Sequence, residues 1–204
     1  MEVPPRVVLA SANPKKAAEL AEILAGSGLR IELLPRPGDV PEVDEDADDF
    51  LGNARLKAAA LAEATGLPAL ADDSGLEVDA LGGAPGVHSA RYAGETATDH
   101  DNVVKLLDEL EREPAGERSA RFWAVIVLRW PDGRELVAEG AVEGTIAATP
   151  RGDGGFGYDP VFVPVEGDGR TFAEMTADEK HAISHRGRAF RNLLAALEER
   201  LPAT

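Results

Sequence analysis

The chain places two carboxylates side by side, Asp72 and Asp73, at the end of the apolar run PALAD and directly before Ser74 and Gly75. Neighbouring negative charges repel, so such a pair either raises the pKa of one acid or recruits a divalent cation. At the carboxyl edge of a strand the pair would lie where open α/β sheets bind ligands. The competing reading is a turn in which the acids cap backbone NH groups. Ser74 as a nucleophile has little support, because GxSxG is absent and no oxyanion hole is evident.

A second chemical group opens the chain, in SANPKKAAE at 11–19. Asn13 suits an N-cap and Pro14 the first helical position, so the helix would present free NH groups and its positive dipole end to an anion. Lys16, in the first turn, is a cation where the dipole disfavours one, which makes sense beside a phosphate. A capped helix with a solvated lysine accounts for the same residues. The Walker pattern GxxxxGK[ST] is absent, so this is not an ordinary P-loop.

The acidic run VDEDADDF at 43–50 has the alternate Asp44, Asp46, Asp48 spacing of a calcium loop, but Asp49 stands at its sixth position and Arg55 at its twelfth. Most of these acids are expected in solvent, with room for one metal ligand. The helix that follows carries Asn53 and Lys57 four apart, a polar stripe of the kind usually found on a surface. GFGYDP at 155–160, approached through RGDGG, reads as a loop that presents its aromatics rather than burying them. EKHAISHRGRA at 179–189 lacks HExxH, so Lys180, His185 and Arg186 read better as hydrogen-bond donors to an oxygen-bearing ligand than as part of a zinc site.

These residues need elements to hold them. RVVLAS (6–11) reads as a buried strand, followed by a helix from Pro14 to about Ala25 that stops at Gly26 and Gly28. A second helix runs from about Asp49 to Thr65, capped by Asp48 or Asp49 and stopped by Gly66. A short strand PALAD, a turn-rich segment over 73–95 and a helix from about Asp99 to Glu113 come next. ARFWAVIVLRW and RELVAEGAVEGTIA form a hairpin across the PDG turn, and a helix from about His185 to Arg200 closes the chain. The expected architecture is α/β, a mixed sheet flanked by helices.

Composition narrows the function classes. The 204 residues, 44% hydrophobic and 28% charged, are enough for a substantial core. A formal net charge of -16 argues against binding long nucleic acid, yet allows a small anion in a local basic pocket. No cysteine is present, so disulfides and thiolate metal sites are excluded. The longest apolar run, FWAVIVL, is too short for a bilayer, and the N-terminus lacks a secretion signal, so a soluble cytoplasmic protein is expected.

Taken together, the stretches resemble the inosine triphosphate pyrophosphatases. The family's SxNxxKxxE start matches Ser11, Asn13, Lys16 and Glu19, and its ExxxxFxxNAxxK segment matches Glu45, Phe50, Asn53 and Lys57. The match continues through ADDSGLEVDALGGAPGVHSARYAG, GFGYDPVF and EKxxISHRGRA, in the family's order over nearly the whole chain. The resemblance implies one domain, residues 1–204, of two α/β lobes on a long twisted mixed sheet with a central cleft, and usually a homodimer. It implies hydrolysis of ITP, dITP and XTP to monophosphate and pyrophosphate.

The resemblance also assigns roles. Asp73 binds Mg²⁺ and accepts a proton from the attacking water, and Glu45 helps hold the metal. Ser11, Ala12, Asn13, Pro14, Lys15 and Lys16, with Lys57 and Ser74, hold the triphosphate. In the loop, Phe156 stacks on the purine, Gly157 and Tyr158 belong to the same pocket, and Asp159 fixes its edge. Lys180, His185 and Arg186 donate to the 6-oxo group that adenine lacks. Two rivals stand beside this reading: a septum-inhibition-type (Maf-like) nucleotide pyrophosphatase, against which the SHRG segment counts, and a non-catalytic nucleotide-binding or metal-buffering protein.

Overall fold

The computed structural model describes residues 4–11, 14–25, 30–113 and 117–199. Its strands are β1 (Arg6–Leu9), β2 (Glu32–Leu34), β3 (Ala69–Val78), β4 (Ser119–Arg129), β5 (Glu135–Ile146) and β6 (Phe162–Pro164). The helices are α1 (Pro14–Ala25), α2 (Phe50–Thr65), α3 (Asp99–Leu110), α4 (Ala177–Ile183) and α5 (His185–Glu198). The sheet order is β2-β1-β3-β4-β5-β6. β1 runs parallel to β2 and β3, whereas β5 and β6 are antiparallel, so the expected mixed α/β sheet is present. Among the described residues no helix is long and apolar enough to cross a membrane.

By its contacts the chain divides into two compact units, each with its own core. The first comprises Met1–Asp73, Ala124–Gly140 and Arg186–Thr204. Val7 and Leu9 of β1, Leu20 and Leu24 of α1, Ile126 and Leu128 of β4, and Phe190, Leu193 and Leu197 of α5 form its interior. The second comprises Ser74–Trp123 and Ala141–His185. Its interior is aromatic: the Phe122 and Phe162 ring centroids lie 4.7 Å apart and those of Phe162 and Phe172 5.2 Å apart. β5 alternates buried and less buried residues along its length, as expected of a strand with one face on a core.

Local chemistry sets the ends of the helices. Asp49 caps α2 by accepting a hydrogen bond from the Gly52 N–H at 2.6 Å, and Gly66 ends it in the left-handed conformation with φ 65°. The apolar stripe Phe50, Ala54, Ala58, Leu61 and Ala62 repeats at helical spacing and is buried, which fixes the rotation of α2 and hence the direction of Asn53 and Lys57. Thr98 and Asp101 close a reciprocal capping box on α3. The Asn13 cap and the Gly26 and Gly28 stop expected for α1 lie outside the described residues, as does Ala12.

One expectation needs correction, and further elements were not foreseen. PALAD is not a short strand before turns: β3 runs unbroken from Ala69 through both acids to Val78, and 3₁₀ turns follow at Asp79–Leu81 and Gly86–Arg91. Polar residues inside an otherwise apolar stretch looked like a strand end, but burial with partners lets a strand carry them. The closing helix expected from about His185 is α5, and a separate helix, α4, precedes it and ends at Ser184 in extended backbone. The short strands β2 and β6 carry too few residues for periodicity to register.

Candidate active site

The two acids lie within β3, not at its carboxyl edge. They follow directly on the segment that pairs with β1: Val8 is opposite Ala69 and Leu9 opposite Leu70, and the Ala10 N–H reaches the Leu70 carbonyl at 2.8 Å. It is therefore the carboxyl end of β1 that the acids adjoin. Successive residues of a strand point to opposite faces, so Asp72 and Asp73 serve different neighbours despite their adjacency.

Asp73 meets α2. Its Oδ1 lies 3.0 Å from Lys57 Nζ and its Oδ2 accepts a hydrogen bond from Asn53 Nδ2 at 3.3 Å. The same ammonium lies 3.1 Å from Glu45 Oε2, so a single cation joins the two carboxylates. Asn53 is only 1% exposed, and its side-chain Oδ1 accepts the Ala47 N–H at 3.0 Å, which ties the acidic loop to the site. The Asn53 and Lys57 stripe is thus no surface feature. Asp44, Asp46, Asp48 and Asp49 are exposed and Glu45 is half-buried, so one acid of the run turns inward.

Asp72 meets α1 and α5. It lies 3.4 Å from Lys16 Nζ and accepts from Arg186 Nε at 3.4 Å, while Arg186 Nη1 donates to Glu19 Oε2 at 2.9 Å. All of Glu19, Asp72 and Arg186 are buried, a network that balances charge where water cannot. Burial works to raise the Asp72 pKa, but Lys16 and Arg186 outweigh it and bring it down to about 2. Asp73 goes the other way: burial raises its pKa, and Lys57 and Lys16 only partly offset that. Burial lowers Lys57, yet Asp73, Asp72 and Glu45 leave its pKa raised, whereas in Lys16 burial prevails and the pKa is lowered. Mutual repulsion was the expected cause of a raised acid; desolvation is the cause here.

In the second unit the GFGYDP loop surrounds Asp159. Its Oδ2 accepts from the Phe156 N–H at 2.9 Å and from Lys180 Nζ at 2.7 Å, and the same ammonium lies 4.8 Å from the centre of the Phe156 ring. Gly155 has φ 70°, and a Cβ there would collide with the Asp159 carboxylate, so glycine is required twice over. Phe156 and Gly157 are half-buried. Tyr158 departs from the expectation of a presented aromatic: it is 4% exposed, packs in the core, and its hydroxyl donates to the Ser89 carbonyl at 2.9 Å. An alternating loop can turn one ring inward and the next outward, which composition does not reveal.

His185 is buried and stacks on Phe122, with centroids 4.6 Å apart and planes at 10°. The three donors of EKHAISHRGRA therefore have separate partners: Asp159 for Lys180, the Phe122 ring for His185, Glu19 and Asp72 for Arg186. Ser11 and Ser74 are half-buried, and Lys15 is exposed. Pro14 opens α1. Asn53, Asp72 and Glu19 stood in the sequence motifs without an assigned role; in the structure Asn53 holds Asp73, and Asp72 and Glu19 share Arg186.

The two carboxylates that share Lys57 suit a hard divalent cation. Magnesium is commonly held by one or two carboxylates, with water and substrate phosphates completing its shell. Among the described residues no group of three or more acid, histidine or cysteine side chains is placed to hold a metal ion.

Comparison with known proteins gives a consistent result. A dITP/XTP pyrophosphatase of Thermus thermophilus is 54% identical over 198 residues, covering 97% of this chain and 94% of the relative. One from Streptomyces avermitilis is 50% identical, covering 96% and 98%. Among solved structures, a HAM1 protein from Coxiella burnetii superposes with a TM-score of 0.87 at 47% identity, covering 95% of this chain and 98% of that one. The Staphylococcus aureus Ham1 protein gives 0.84 at 39% identity, covering 96% and 100%. Residues 7–196 match the Ham1 family. With agreement in sequence, in fold and over almost its full length, the chain belongs to the Ham1 family.

Proposed function

We infer that the chain is a hydrolase that cleaves the purine nucleoside triphosphates ITP, dITP and XTP to the monophosphate and pyrophosphate, clearing them from the nucleotide pool. The observation that carries this reading is the Glu45, Lys57, Asp73 triangle, with one ammonium 3.0 and 3.1 Å from two carboxylates beside the buried Asn53. Relatives about half identical over nearly their whole length bear the name dITP/XTP pyrophosphatase.

Phosphoryl transfer asks the protein for alignment and charge neutralisation more than for covalent help. Lys57 and Lys16 neutralise phosphate oxygens, with Ser11, Ala12, Asn13, Pro14, Lys15 and Ser74 around the triphosphate. Asp73, whose pKa burial raises, accepts the proton from water as the water oxygen bonds to the α-phosphorus and the bond to the pyrophosphate oxygen breaks. Glu45 and Asp73 would hold Mg²⁺, which when bound offsets charge on the phosphates. Phe156 stacks on the base, and Lys180, steered by Asp159, donates to its 6-oxo oxygen, with His185 and Arg186 supporting recognition. The whole chain acts as one two-lobed domain in a cytoplasmic homodimer, with no nucleic acid or membrane partner; sedimentation checks the assembly.

Hydrolysis in ¹⁸O-labelled water tests the chemistry. Label in the nucleoside monophosphate is expected. Label in pyrophosphate, or release of orthophosphate, would mean attack at another phosphorus.

A further inference from the structure

We propose that Asp99, the first residue of α3, is a positioning residue that fixes the orientation of the Phe156 ring through the backbone of Gly157. The proposal rests on the reading that Phe156 stacks on a purine.

The Gly157 N–H donates to Asp99 Oδ2 at 3.0 Å, a bond between residues far apart in the chain. Gly157 has φ 61°, and the loop reaches it through Gly152 and Gly155, also in the left-handed region. Residues 151–155 are exposed, and the backbone ties there, from the Arg151 N–H to the Pro160 carbonyl at 2.8 Å and from the Gly154 N–H to the Ala173 carbonyl at 3.0 Å, do not reach Phe156 itself. Direction comes instead from ties on consecutive residues. The Phe156 N–H goes to Asp159, the Gly157 N–H to Asp99 and the Tyr158 hydroxyl to the Ser89 carbonyl. Ser89 and Asp99 both lie outside the loop, Ser89 in a 3₁₀ turn and Asp99 in an α-helix.

That helix is a rigid mount. The Thr98 and Asp101 capping box fixes the first turn of α3. One turn on, the buried Asn102 side chain accepts the Ala93 N–H at 2.7 Å and donates to the Ala90 carbonyl at 3.1 Å, anchoring α3 to the segment that includes Ser89. Asp99 itself is exposed, so its removal opens no cavity. Without it Gly157 regains its backbone freedom and the preceding ring samples more orientations. The loss falls on base binding and spares the Asp73 chemistry, since an ordered ring lowers the entropy cost of binding.

Asp99→Ala and Asp99→Asn separate this from a structural role, because asparagine keeps an oxygen acceptor. In Asp99→Ala we expect the KM for ITP to rise about tenfold with kcat within about twofold, and Asp99→Asn to stay within about twofold of wild type. Inhibition by inosine monophosphate should weaken by the same factor as KM rises, and inhibition by pyrophosphate should not change. Equal weakening of both inhibitors, an unaltered inosine monophosphate constant, or an asparagine variant as damaged as alanine would each overturn the proposal. Wild-type enzyme that cleaves CTP or UTP as well as ITP would remove the purine reading first, and the role of Asp99 with it.

Discussion

Asp72 and Asp73 show how far neighbouring residues of one type can diverge. Strand alternation gives Asp72 to Lys16 and Arg186, and gives Asp73 to Lys57 and Asn53. Asp72 is committed to charge balance, and Asp73 is the acid proposed for the chemistry. Asp73→Asn preserves shape and removes the proton acceptor, so kcat should fall by about three orders of magnitude or more while the melting temperature changes little. Near-normal turnover would move the chemistry elsewhere. Lys180 admits an equally sharp test. Lys180→Met keeps the apolar stem and deletes a charge-assisted hydrogen bond worth about 1.5–3 kcal/mol. If the bond is to the 6-oxo oxygen, kcat/KM for ITP should fall roughly tenfold to a hundredfold and that for ATP much less. Equal losses would assign Lys180 to phosphate.

At the scale of elements, α2 shows what the sequence conveys and what it withholds. The Asp49 cap, the Gly66 stop and the alanine stripe were all legible, because caps and periodicity are local signals. The same periodicity put Asn53 and Lys57 on one face, but whether that face met water or Asp73 depends on β3, twenty residues away in the chain for Asn53. β3 itself was cut short for the converse reason: its acids look like a boundary unless their distant partners Lys16, Lys57 and Arg186 are known. The stretch at 155–160 was legible as a loop but not in its details, since Tyr158 turns inward to Ser89. Because Asp49 holds the end of the helix that carries Asn53 and Lys57, Asp49→Ala should cost about 1 kcal/mol in stability. Urea unfolding measures this; an unchanged midpoint would show that packing alone sets the helix.

For the molecule as a whole, the α/β class and the ordered set of motifs were legible from sequence and two lobes were expected from the resemblance, while the membership of each core was not, since it depends on which distant segments condense together. The second core is the more dependent on aromatics. Phe162 is fully buried against Phe122 and Phe172, so Phe162→Ala should lose about 3–5 kcal/mol, read from denaturant unfolding. The activity as a whole should vanish with excess EDTA and return with Mg²⁺, because two carboxylates facing each other across one cation need positive charge to hold phosphate nearby. Whether the chain is a selective pyrophosphohydrolase is decided by pyrophosphate release from a panel of nucleoside triphosphates with Mg²⁺. ITP, dITP and XTP should be cleaved far faster than ATP, GTP, CTP or UTP, and equal turnover of ATP and ITP would contradict it.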